Sequence, residues 1–163
     1  MMTRARAFLS ILLLVAALAV LPASDALAAG SSSSSSDAAS EADRRNFERG
    51  KQAIEARDWE RAVNFLERAA DSDPLNADVF NLLAYGYRHL DRLDDAFANY
   101  GRALALDPRH LGAHEYIGEA YLLIDDLAKA EEHLATLTEI CASCEETEEL
   151  AEAIEQFKEA EGQ

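Results

Sequence analysis

Apolar and small residues recur along this chain at a spacing of 34, in three segments that align as 43–76, 77–110 and 111–144. In the middle segment Phe80, Leu83, Ala84 and Tyr87 fall at i, i+3, i+4 and i+7. That is one stripe of an amphipathic helix, predicted over about Ala77 to Leu90. Leu93, Ala96, Tyr100, Ala103 and Leu104 make the facing stripe of a second helix, for which Asp91 is the expected cap. Asp107-Pro108 ends it, because proline cannot continue the helical ladder and disfavours helix in the residue before it. The outer segments repeat the arrangement. Gly50, Ala84 and Gly118 share a column, as do Ala62, Ala96 and Ala130, and bulky Leu66, Tyr100 and Leu134 follow four residues later. Small residues at these offsets let two helices joined by a tight turn approach closely. Large ones would splay them or force strained rotamers. A period near 34 built from helix–turn–helix units predicts an all-α stack, whose usual work is holding another protein.

A further helix is predicted over 145–160. Leu150, Ile154 and Phe157 give it one apolar stripe, and the rest is mainly acidic. One face would bury the open side of the third unit while the other meets water, which is the design of an end cap. Ser143 with Glu146 three residues on predicts a capping box at its start.

The run of Phe80, Leu83-Ala84 and Tyr87, then Ala96, Tyr100 and Pro108, resembles a tetratricopeptide repeat. That pattern is an aromatic, Leu-Gly, Tyr, then Ala, Phe and Pro. The third unit follows with His114, Ile117, Gly118, Tyr121, Ala130 and Leu134, and has Ala142 in place of the proline. The first is looser: Asn46, Arg49, Gly50, Ala53, Ala62, Leu66, Ala69 and Pro74. Its polar Asn46 and Arg49 suit a terminal unit with no neighbour to cover it. The resemblance implies a right-handed helical solenoid of three repeats plus the cap helix, spanning residues 42–163. It also implies a non-enzymatic interaction module that needs no cofactor and holds a partner peptide or protein in a groove lined by the first helix of each unit.

On that register the expected partner-binding residues are Phe47, Lys51, Asn81, Tyr85, Arg88, Glu115 and Glu119. Asn81 can bond a peptide backbone through both donor and acceptor. Tyr85 and Arg88 are types that dominate binding energy when desolvated. The plainer alternative makes Tyr85 a spacer between units and Arg88 a solvated charge. Chaperone-binding members of the family clamp a terminal carboxylate with basic residues and asparagines. The equivalent positions here are Phe47, Lys51, Leu82, Gly112 and Tyr116, of which Lys51 alone is basic, so that clamp is not carried over. Arg44, Lys51 and Arg88 would favour acidic groups, and the Glu115–Glu119 end basic ones, giving a polarised groove.

Before the repeats, Arg4 and Arg6 precede an apolar run from Phe8 to Leu21, and Ala26-Leu27-Ala28 offers small residues for cleavage. This reads as a secretory signal over 1–28, with export to a periplasmic or secreted location. A membrane anchor is the alternative, although the run is shorter than the roughly 20 residues needed to span a bilayer. Residues 29–41, rich in serine, read as a flexible tether. The formal charge of −16 argues against nucleic acid and anionic membrane as partners, because neither offers counter-charge. The acids of the last 25 residues form either a solvated face or a dock for a basic partner.

Cys141 and Cys144 are the sharpest chemical feature. In an oxidising compartment this pair predicts a disulfide fixing the turn between the last repeat and the cap. A redox-active pair competes with it, and so does a metal accessory site recruiting His114 or His133, though no metal site is nominated. The histidines show no catalytic spacing. His114 suits a packing role, while His89 and His110 end or follow helices, where a cation favours the dipole. Self-association through open repeat edges is the remaining structural alternative.

Overall fold

The computed structural model describes residues 33–162, with side chains from residue 44 onward. The expected signal segment 1–28 lies outside the described residues. Among the described residues there are seven helices and no strand. They are α1 (Ser33–Glu55), α2 (Trp59–Ser72), α3 (Ala77–His89), α4 (Leu93–Leu106), α5 (Leu111–Leu122), α6 (Leu127–Ile140) and α7 (Glu145–Glu161). Consecutive helices pack as hairpins, α1 with α2, α3 with α4 and α5 with α6. Across hairpins α1 touches α3 and α3 touches α5, whereas α2, α4 and α6 do not touch one another. The first helices therefore form the tighter, inner layer of a helical solenoid. Helix α7 packs on α5 and α6 and closes the stack.

Ala62, Ala84, Ala96 and Ala130 are all fully buried, as the column of small residues requires. At Gly50 the approach is closer still, since a Cβ there would stand 2.6 Å from Leu66 Cγ. The third unit departs from the expected packing. A Cβ on Gly118 would stand 2.6 Å from Cδ2 of Leu150 on α7, and Leu134 is only half buried. Leu66 and Tyr100 fill the first two hairpins, but the third is filled by Leu137 together with the cap residues Leu150 and Ile154. The last hairpin has no following unit, so α7 supplies the missing wall.

The turns within the hairpins repeat to the residue. Arg57, Asp91 and Asp125 all take positive φ, and Asp58, Arg92 and Asp126 follow as N-caps. In each turn the N-cap N–H bonds back five residues, to the carbonyls of Ala53, Tyr87 and Tyr121. Asp58 and Asp126 accept the N–H groups of Arg61 and Lys129. Asp91 does not cap α4. It occupies the left-handed position, which aspartate tolerates better than most residues. Arg92 takes the cap place without a side-chain bond, and its guanidinium turns to Asp95 and the Tyr87 ring.

The backbone is helical from Ser33 onward. Two further expectations are corrected. The capping box at Ser143 does not form. Cys144 is the N-cap of α7 and makes no side-chain cap bond, while Thr147 Oγ1 donates to the Cys141 carbonyl at 2.7 Å. His110 lies at a helix start, not an end. Its Nδ1 accepts the Ala113 N–H at 3.1 Å and its Nε2 meets Asp78 at 3.0 Å. Cys141 and Cys144 pair across the α6–α7 turn with Cα atoms 5.6 Å apart, inside the span a disulfide bridges.

Candidate functional groove

Helices α3, α5 and α7 enclose a polar groove of about 520 Å³. Tyr85 and Arg88 come from α3, Glu115, Tyr116 and Glu119 from α5, and Glu149, Glu152, Ala153 and Gln156 from α7. Helical spacing places Glu115 and Glu119 one turn apart on the same face, and the α7 acids line up opposite because Leu150 and Ile154 turn the other way into the core.

An aromatic shelf runs along one side. Tyr85 lies 4.7 Å from Tyr116, ring centre to ring centre, and 4.5 Å from His89. His89 stacks on Trp59 at 4.0 Å, nearly parallel. Burial, and then the nearby Arg88 charge, push the His89 pKa down, so the stacked ring is neutral at pH 7.

Arg88 is a structural cation. Its Nη1 donates to Glu119, and its guanidinium sits over the Tyr85 and Tyr116 rings at 5.1 and 5.6 Å. Burial opposes its charge, but Tyr100, Glu119 and Tyr85 more than offset that, so its pKa rises. Arg88 is therefore engaged within the groove by Glu119. Stacking of the repeats brings these two residues together, and each satisfies the other.

Glu115 is the most perturbed group. It is only 3% exposed. Burial, then a side-chain hydrogen bond with Glu149, then the Glu119 charge push its pKa up to about 9. It is a neutral acid at pH 7. Beneath the groove, Tyr100 is fully buried and its hydroxyl has no partner. The same is true of Arg88 Nε. The Tyr100 hydroxyl feels Arg88, Glu119, Tyr116 and Tyr85, all groove residues.

The other expected residues are placed elsewhere or differently. Phe47 lines a separate hollow with Arg44, Ala69, Ser72, Asp73, Asn76 and Val79. Lys51 sits 5.5 Å over the Phe47 ring and 3.4 Å from Glu48. Asn81 is buried on α3 with its Oδ1 unpaired. Trp59, Tyr116, Glu149, Glu152 and Gln156 belong to the shelf or the groove but were not among the expected residues. Tyr116 was within reach of the register, since it holds a clamp-equivalent position. The α7 residues were not, because the repeat pattern does not extend to the cap. His114 is buried as expected, its Nδ1 2.9 Å from that of His133 and its Nε2 bonded to the Pro108 carbonyl. Among the described residues no group of three or more His, Cys, Asp or Glu is placed to hold a metal ion.

Solved structures share this architecture. The TPR2B domain of yeast Sti1, in its Hsp70 complex, superposes with a TM-score of 0.68 at 19% identity, covering 74% of this chain and 98% of that one. The Arabidopsis OM64 TPR domain gives 0.67 at 19%, over 72% and 98%. The first TPR domain of Spaghetti (RPAP3), bound to the HSP90 peptide SRMEEVD, gives 0.66 at 18%, over 76% and 95%. The fold is the tetratricopeptide-repeat solenoid. In sequence, 63 residues are 40% identical to tetratricopeptide repeat protein 16 of Macaca fascicularis. This stretch is 39% of the chain and 7% of that protein's length. No family model matches the chain.

Proposed function

We propose that this solenoid is a non-enzymatic protein-interaction module, an adaptor or scaffold that holds an extended segment of a partner against α3, α5 and α7. The observation that carries this is the groove itself. It has an aromatic shelf of Tyr85 and Tyr116 at its inner edge and a rim of polar side chains with space between them. Tyrosine pairs give large, rigid contact area at low entropic cost, as binding sites require. Solved domains of the same fold hold Hsp70 and HSP90 peptides, which supports a peptide as the class of partner.

We further place the module outside the cytoplasm, in the cell envelope or secreted. The charge and hydropathy pattern of residues 1–28 supports this, as does a cysteine pair suited to an oxidising compartment. The test of binding uses Tyr85→Ala with Tyr116→Ala and leaves Arg88 alone, because removing Arg88 would strand Glu119. Crosslinking to the native envelope fraction should recover a partner with the wild type and lose it with the variant, at unchanged circular dichroism. Undiminished capture moves the site off this groove. N-terminal sequencing of the mature protein should begin at Ala29, and an intact Met1 overturns export.

A further inference from the structure

We propose that the partner segment is a lysine-bearing extended peptide, with an ammonium group seated among Glu115, Glu119, Glu149 and Glu152 and its backbone laid over Tyr85 and Tyr116. This rests on the groove being the binding face, and it fixes the charge of what binds there. Four carboxyl groups line the groove against one cation, Arg88, which pairs with Glu119 and lies over the two tyrosine rings; with Glu115 neutral, Glu149 and Glu152 are left as the surplus. The rim therefore has acceptors in surplus.

A peptide with lysines meets this surplus with its ammonium groups and lies along the tyrosine shelf with its backbone. A carboxylate brings no donor. The acidic residues of a segment such as SRMEEVD, held by one solved relative in fold, would meet like charge here. The formal charge of −16 adds long-range attraction for a basic segment and repulsion for an acidic one.

The buried acid gives this binding a signature that diffuse attraction lacks. Glu115 is surrounded by Glu119 and Tyr116 on its own helix, Tyr85 and Arg88 from α3, and Glu146, Glu149 and Glu152 from α7. An ammonium placed beside it favours the carboxylate. The carboxyl proton then leaves to solvent while the lysine keeps its own, so one proton is released for each ammonium seated there.

Fluorescence anisotropy with two labelled nonapeptides tests the proposal, one alternating alanine with lysine and the other alanine with glutamine. The lysine peptide should bind at least tenfold tighter. Glu149→Gln with Glu152→Gln should remove most of that preference. Glu155→Gln with Glu159→Gln, the same charge change on α7 outside the groove lining, should alter affinity less than twofold. Calorimetry at pH 8 in phosphate and in Tris should report proton release by the wild type and none by Glu115→Gln. Equal losses from the two α7 pairs, or no proton release, overturn the proposal. Equal binding of both peptides, abolished by Tyr85→Ala, keeps the groove and refutes its charge preference. If the lysine peptide binds wild type and Tyr85→Ala alike, the groove assignment itself falls.

Discussion

Gly118 and Leu150 offer the most direct probe of how the cap closes the solenoid. Leu150 is fully buried, and a methyl group on Gly118 would meet its Cδ2, Cδ1 and Cγ at 2.6, 2.8 and 3.3 Å. Those distances are too short to keep, so Leu150 would have to shift within a fully buried site. Overpacking of this kind costs about 1–3 kcal/mol, against about 1 kcal/mol gained from replacing glycine by alanine inside a helix. Gly118→Ala should therefore be neutral to about 2 kcal/mol destabilising. Leu150→Ala removes a fully buried isobutyl group and should cost about 2–5 kcal/mol, a large part of the 5–15 kcal/mol typical of a domain.

In the Leu150→Ala background the obstruction is gone, so Gly118→Ala should become stabilising by about 1 kcal/mol. The sign reversal implies a coupling of about 1–3 kcal/mol, which a double-mutant cycle in urea, followed by circular dichroism, will measure. If Gly118→Ala stabilises both backgrounds equally, Leu150 does not rest on Gly118 and the account of the cap is wrong.

Other outcomes follow from single features. Glu115 holds its proton in the fold up to about pH 9 but loses it near its ordinary 4.5 once unfolded, so the stability it contributes falls as pH rises through that window. Glu115→Gln should match the wild type in melting temperature at pH 4.5 and exceed it by pH 8, by up to about 5 kcal/mol at about 1.4 kcal/mol per pH unit, and parallel pH profiles would refute the raised pKa of Glu115. Asp91 takes φ 57°, a conformation hostile to β-branched residues, so Asp91→Val should cost about 1–2 kcal/mol in urea denaturation while Asp91→Gly costs nothing. Reducing the Cys141–Cys144 pair should add two hydrogens in mass and lower stability by about 2 kcal/mol, and free thiols in the untreated mature protein would remove the staple.

The helices, their pairing and the columns of small residues were all legible in the chain's pattern. Each follows from a pattern within one 34-residue unit, where the chain's own periodicity decides what faces inward. Ala62, Ala96 and Ala130 were legible for that reason, and so was the apolar stripe of α7 through Leu150 and Ile154. Local patterns misled where a single residue decides, as at Asp91 and Ser143, because a cap depends on backbone angles that neighbouring positions can also adopt. Tertiary structure alone decided the groove. Arg88 and Glu119 belong to different units, Glu115 is buried because α7 lies over it, and the seat of Gly118 is Leu150 rather than Leu134. Charge and burial at a site assembled from three helices depend on how the units stack, and a repeat pattern records each unit separately.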